Sequence, residues 1–161
     1  MRAIEPKTLE WAPSAPVQNV ARAHSSASPD AVFAVIADQE AWPAWFPRLK
    51  SVTVSPGPLG VGSRRTVRLP GLAVDEVVIG WEPGRLFAFT GVAVRPYVFS
   101  ELVEQCVLDP TDDGGTDIAW VQSLTPGNAV FRAVFRFGRR GVLKALEQGM
   151  TNLARRAESP R

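Results

Sequence analysis

The residues best suited to moving a proton along this chain are His24, Tyr97 and Glu101. His24 is the only histidine among 161 residues, and histidine is the side chain whose unperturbed pKa lies near neutrality. It stands at the end of an expected strand. There a solvent-exposed or backbone-bonded ring is the ordinary outcome, and catalysis would need a cleft and a partner. No Gly-x-Ser-x-Gly elbow accompanies it, so a serine-hydrolase reading is poor. Glu76 and Glu101 could act as an acid and a base if both point inward, because two like charges in one apolar site drive one pKa up. Exposed strand carboxylates are the commoner case. One histidine and one cysteine, Cys106, leave no multi-His or multi-Cys metal site and no internal disulfide framework. No loop has the spacing of a carboxylate-held metal, and neither a metal nor a cofactor is expected.

Chemistry that holds a ligand is better represented. The run Tyr97 to Leu108 alternates Phe99, Glu101, Val103, Gln105 and Val107 with Ser100, Leu102, Glu104, Cys106 and Leu108. The alternation does not choose the inner face. If Glu101 and Gln105 point inward, they are polar anchors in an apolar pocket; otherwise they face water. Thr116, Ile118, Trp120 and Gln122 share one face of a later run, and its large apolar members turn that face toward the interior. Gln122 is then a buried amide in need of partners, and Trp120 is core filler or a ligand platform. Trp42, Trp45 and Phe46 lie between prolines, as a rigid aromatic lid or as a plug at the open end of a sheet.

These residues need elements to position them. Ser28-Pro29-Asp30 starts a helix: serine caps it, proline has the φ of its first position, and aspartate meets its positive end. Val32, Phe33 and Ile36 give that helix an apolar stripe as far as about Asp38. A short helical or irregular piece follows over Glu40 to Pro47, limited by its prolines. Ahead of both, Val17 to Ser25 is β-compatible. From Leu49 onward, strands at 49–54, 63–69, 73–81, 86–94, 97–108 and 116–124 are separated by turn chemistry, of which Asp112-Asp113-Gly114-Gly115 is the strongest instance. Asn128 to Ala157 then carries Phe131, Phe135, Gly138, Val142, Leu146, Gly149, Leu153 and Ala157 at helical spacing. Its glycines allow a bend near Gly138 or room beneath the helix. Arg132, Arg136, Arg139, Arg140 and Lys144 form a basic stripe opposite.

Composition sets the outer bounds. Hydrophobic residues are 45 %, charged residues 21 %, and the net charge is +2, which is ordinary for one globular domain. Whole-chain charge does not predict nucleic-acid binding, and no nucleic-acid motif accompanies the basic stripe. The charged, proline-containing start is not expected to be a signal peptide, no run approaches the ~18 apolar residues of a membrane span, and the cytoplasm is the expected compartment. The expected organisation is an extended arm at 1–16, one domain at 17–157 and a tail at 158–161. The fold class is α+β, a curved antiparallel sheet of about seven strands around a long C-terminal helix.

The segments Ala27-Ser28-Pro29-Asp30-Ala31-Val32-Phe33, Trp42-Pro43-Ala44-Trp45-Phe46-Pro47, Gly60-Val61-Gly62, Trp81-Glu82-Pro83-Gly84-Arg85-Leu86-Phe87 and Gly114-Gly115-Thr116 follow one another in an order that resembles the polyketide cyclase/dehydrase and START-like lipid-binding superfamily. The resemblance covers about Val17 to Ala157. It implies the helix-grip fold and a pocket between sheet and helix, while the reaction does not follow from the fold. The expected function is binding or transfer of a lipid-like or polycyclic aromatic molecule. Expected contacts are Trp45, Phe99, Glu101, Gln105, Trp120, Gln122, Phe131, Phe135, Leu146 and Met150. Two alternatives stand beside it. One is a cyclase or dehydratase using His24, Tyr97 or Glu101. The other is an interaction module that docks to a membrane or acidic partner through Arg132, Arg136, Arg139 and Arg140.

Overall fold

The first sixteen residues are less of a free arm than their prolines suggest. In the computed structural model, which describes residues 1–159, they form a two-residue strand, β1 (Arg2–Ala3), and a 3-10 turn at Ala12–Ser14. β2 (Val17–Ser25) leads to α1 (Pro29–Ala37) and a 3-10 helix at Gln39–Ala44. β3 (Ser51–Val54), β4 (Arg64–Leu69), β5 (Leu72–Glu82), β6 (Leu86–Arg95), β7 (Phe99–Pro110) and β8 (Thr116–Pro126) follow, and α2 (Ala129–Glu158) ends the order.

The local causes are those legible in the chain. The Ser28 hydroxyl accepts a hydrogen bond from the Ala31 backbone N–H at the start of α1, and Val32, Phe33 and Ile36 are buried beneath it. Asn128 caps α2 in the same way, accepting from Phe131 N–H at 3.0 Å, and Arg155 and Arg156 stand at its negative end. α2 is continuous through Gly138 and Gly141. The tight β4–β5 hairpin places Gly71 at φ +73°, a conformation glycine adopts at little cost.

The sheet runs β2-β8-β7-β6-β5-β4-β3, every neighbouring pair antiparallel. Its concave face carries the main core, where Trp42, Phe87, Trp120, Met150 and Leu153 pack with α1 and the C-terminal half of α2. A second cluster joins Ile4 to Val74, Phe99, Leu102 and Leu124. No helix among the described residues is long and apolar enough to cross a membrane.

β1 makes an eighth strand. β6 and β7 pair only from Leu86↔Val107 to Thr90↔Val103, then part, and β1 pairs with Ala93 and Val94 of β6 in the gap. Ile4 N–H donates to Val92 O at 3.0 Å and Glu5 N–H to Ser100 O at 3.2 Å, so the arm bridges both strands. Lys7 N–H then donates to the Thr90 hydroxyl at 2.9 Å on the convex side. The arm is thus held by the backbone groups that the parting strands would leave unpaired. At the other end, Glu158, expected in the tail, lies in α2, and its carboxylate accepts from Ser26 N–H at 2.8 Å and the Ser25 hydroxyl at 3.2 Å. Residues 160 and 161 of the expected tail lie outside the described residues.

Candidate functional site

Between the concave face and α2 lies a cavity of about 350 Å³, within the size range of small-molecule sites. Its closed end is lined by Trp42, Arg65, Glu76, Glu104 and Trp120, all buried. The exposed members of the lining are Arg48, Pro70 and Gly141, and these mark the mouth between the loop after the 3-10 helix, the β4–β5 turn and α2. The walls between are apolar, with Leu69, Leu72, Phe99, Leu102, Leu124 and Val142 among them.

The closed end is built by cross-strand register. Arg65 and Glu76 stand directly opposite each other on β4 and β5, and Arg65 Nε donates to Glu76 Oε2 at 2.7 Å, both side chains almost fully buried. Arg65 Nη1 donates to Gln39 Oε1 at 2.9 Å, and the guanidinium lies 4.2 Å from the ring centroids of both Trp42 and Phe89. Its Nη2 has no partner among the described residues, nor does Gln39 Nε2. Two rungs along the sheet, Glu104 accepts from Trp120 Nε1 at 2.6 Å and from Gln122 Nε2 at 2.8 Å. The chain of bonds continues outward: Asn19 Nδ2 donates to Gln122 Oε1 at 3.0 Å, and Arg139 Nε on α2 donates to Asn19 Oδ1 at 3.2 Å.

One buried cation thus faces two buried carboxylates. Burial pushes the Glu76 carboxyl up to about 7; the Arg65 charge opposes that rise and Glu104 adds to it. Glu104 is also raised by burial, against the pull of Gln122, Trp120 and Arg65. The two carboxyls interact, so they titrate as a coupled pair rather than singly. Both oxygens of Glu104 accept hydrogen bonds, whereas Glu76 Oε1 makes none among the described residues. Of the four oxygens, Glu76 Oε1 is therefore the one free to carry a proton. Burial likewise pushes the Cys106 thiol up, keeping it protonated.

Of the residues expected to hold a ligand, Phe99, Trp120, Gln122, Phe135 and Leu146 line the cavity. Trp45 and Met150 are packed into the core beside it, and Phe131 is half-buried on α2 outside the lining. Glu101 and Gln105 lie on the convex side. The reason is a bulge: Phe99 pairs with Pro126 and Glu101 with Thr125, so Ser100 is an extra residue and the alternation reverses there. Phe99 consequently shares the inner face with Leu102 and Glu104, not with Glu101. Glu101 instead bonds Lys7 Nζ at 2.8 Å and accepts from the Thr125 hydroxyl. Burial would raise its carboxyl, but these partners hold it below the usual range. Glu76 does point inward, and the carboxylate it meets is Glu104.

The remaining proton-transfer candidates do not line the cavity. His24 is half-exposed with Nδ1 2.9 Å from Asp117 Oδ1, and that bond raises its pKa. Tyr97 lies under the Arg2 guanidinium, 3.7 Å from its ring centroid. Trp42 closes the inner end of the cavity, its indole N–H donating to Ile36 O at 2.8 Å, and Phe46 lines the wall beside it. Arg65 and Glu104 were not singled out from the sequence. For Arg65 a signal exists, since it alternates in phase with Val67 and Leu69.

An open antiparallel sheet gripping a long C-terminal helix, with an apolar cavity between them, defines a START-like helix-grip protein. Residues 17–158 match the family described as polyketide cyclase / dehydrase and lipid transport, and the chain belongs to that family. It is 32 % identical over 136 residues to an uncharacterized protein of Mycobacterium tuberculosis, covering 75 % of this chain and 77 % of that one. Among solved structures it is similar in fold to an aromatase/cyclase from a Streptomyces species, with TM-score 0.74 at 12 % identity over 88 % of this chain and 93 % of the other. A START superfamily protein from Mycobacterium smegmatis gives TM-score 0.65 at 14 % identity over 84 % and 98 %.

Proposed function

We propose that the protein binds one apolar small molecule in the cavity, body against the walls and a carbonyl or hydroxyl end toward Arg65, Glu76 and Glu104. The observation that carries this is the polarity gradient: an apolar channel about 350 Å³ in volume ends on a buried ionic cluster with unused hydrogen-bonding capacity. Apolar burial supplies affinity and the few polar groups fix orientation. Family membership supports a hydrophobic ligand at this coarse level.

Gly141 provides a test that leaves the fold intact. A Cβ there would meet no atom within 4 Å, and replacing a helical glycine by leucine favours the helix by up to about 1 kcal/mol. Gly141→Leu is therefore expected to raise the melting temperature slightly while narrowing the mouth and weakening Nile red uptake by roughly tenfold. Native mass spectrometry of the wild-type protein from its own host is expected to find a bound apolar molecule. A protein that carries none and takes up no Nile red would sink the proposal.

A second reading, proton transfer on an enolisable ketone, is favoured by Glu76 Oε1, which has no partner among the described residues and belongs to a carboxyl held near 7. In that step a C–H bond breaks, its proton goes to Glu76, and the electron pair enters an enolate whose charge Arg65 offsets. Deuterium incorporation from solvent into β-tetralone is expected to be accelerated, to rise through about pH 7, and to vanish in Glu76→Gln. Exchange no faster than in buffer would remove this reading and leave the binding proposal standing.

A further inference from the structure

The N-terminal half of α2 carries more exposed apolar surface than its place in the fold needs. Val130 is 69 % exposed, Val134 52 % and Phe137 80 %, and their i, i+4, i+7 spacing puts them in one stripe along the helix. Gly141 continues that stripe by one further turn and is itself a rim residue of the cavity mouth. Gly138, beside it, has open space where a Cβ would be. The apolar strip and the cavity wall are thus one continuous surface.

The charge beside the strip has one sign. Between Asn128 and Leu146 the chain has Arg132, Arg136, Arg139, Arg140 and Lys144 and no acidic residue. Arg139 is committed to the sheet, bonding Asn19 Oδ1 and donating to Gln18 O at 2.9 Å. The other four are exposed and form no ion pair among the described residues. β2, on which the helix lies, contributes Arg22 and no acid.

We propose that Ala129–Lys144 of α2 is a contact for an anionic lipid bilayer. Val130, Val134 and Phe137 enter the boundary between headgroups and acyl chains, Arg136, Arg140 and Lys144 meet the phosphates, and the cavity mouth at Gly141 opens beside the lipid. A basic helix with an aromatic on its apolar face suits the bilayer interface, where burial and electrostatic attraction act together. An acidic protein surface would engage these three cations but would leave Phe137 and the two valines without the apolar medium that a bilayer supplies. The contact is separate from ligand binding and holds whatever molecule the cavity takes.

Co-sedimentation of the full chain with vesicles tests it. The protein is expected to sediment with phosphatidylcholine vesicles containing about a third phosphatidylglycerol and to stay in solution with phosphatidylcholine alone. Salt near 1 M, which shortens the Debye length to ~3 Å, is expected to release it. Phe137→Asp, and Arg136→Glu with Arg140→Glu, are each expected to weaken partitioning roughly tenfold or more. These positions are exposed, and unchanged far-UV dichroism with unchanged Nile red uptake in vesicle-free buffer separates loss of docking from loss of the cavity. Should Phe137→Asp fail to fold, the wild-type comparisons of lipid composition and salt still decide. Absence of sedimentation, equal binding to both vesicle types, or indifference to Phe137→Asp would overturn the proposal. So would binding to soluble polyglutamate without binding to vesicles, which would assign the surface to an acidic protein.

Discussion

Arg65→Met is expected to destabilise the protein by about 3–5 kcal/mol, a large share of the 5–15 kcal/mol typical of a domain. Among the described residues the guanidinium is the only cation at the closed end of the cavity. It is 2 % exposed, pairs with Glu76 at 2.7 Å, bonds Gln39, and fills the space between Trp42 and Phe89. Methionine replaces much of the packing and none of the charge, leaving Glu76 and Glu104 in a low-dielectric site without a counter-ion. Both carboxyls can escape only by protonation, so the loss should grow with pH. Replacing a whole buried pair by apolar residues is often neutral, and Arg65→Met combined with Glu76→Leu is accordingly expected to regain most of the loss. The urea midpoint at constant m-value measures both. A single mutant costing under about 1 kcal/mol would mean that Arg65 does not compensate the two carboxylates.

Stability is expected to fall as pH rises from about 5 to about 8. Glu76 is raised in the folded state from 4.5 to about 7, so between those values the native state holds a proton that the unfolded chain has released. The stabilisation is fully present below about 4.5 and is lost as pH passes about 7. At 1.36 kcal/mol per pKa unit it amounts to about 3 kcal/mol. Groups around Glu76 act in known directions: Glu104 and Asp75 raise it and Arg65 lowers it. Glu104 is itself raised, and His24, raised by Asp117, also loses stabilisation as pH rises. Glu76→Gln isolates the contribution, because it keeps an oxygen for Arg65 Nε and cannot ionise. Its stability curve is expected to be flatter and to cross above that of the wild type near pH 8. Parallel curves would show that Glu76 does not hold the proton.

The grip fold was readable because its causes are local. Ser28-Pro29-Asp30 starts a helix wherever it stands, Pro70-Gly71 reverses a chain, and the apolar stripe of α2 spans the helix's length; all three lie in the structure where the pattern puts them. Four of the ten expected ligand contacts, Trp120, Gln122, Phe135 and Leu146, line the cavity for the same reason, since they follow simple periodicity.

Periodicity failed where two surfaces competed. Val103, on the convex side of β7, is as buried as Cys106 on the concave side, and the arm bonds its cross-strand neighbour Thr90. Both faces of β7 therefore carry apolar residues, and their composition names neither as inner. The bulge at Ser100 then reverses the phase, sending Phe99 inward and Glu101 outward. A one-residue change of phase moved the candidate carboxylate from Glu101 to Glu104, and no local signal marks it.

From Val17 onward, propensity, capping and periodicity, which act within a few residues, set the elements, their order and the apolar and basic stripes of α2, whereas β1 was not legible. Tertiary structure decided which charges are buried, and only the phase of Arg65 with Val67 and Leu69 hints at it locally. Arg65, Glu76 and Glu104 lie on three strands and meet only through strand pairing. An ionisable side chain in a strand faces water unless distant segments enclose it, and here Trp42, Phe89 and α2 provide the enclosure.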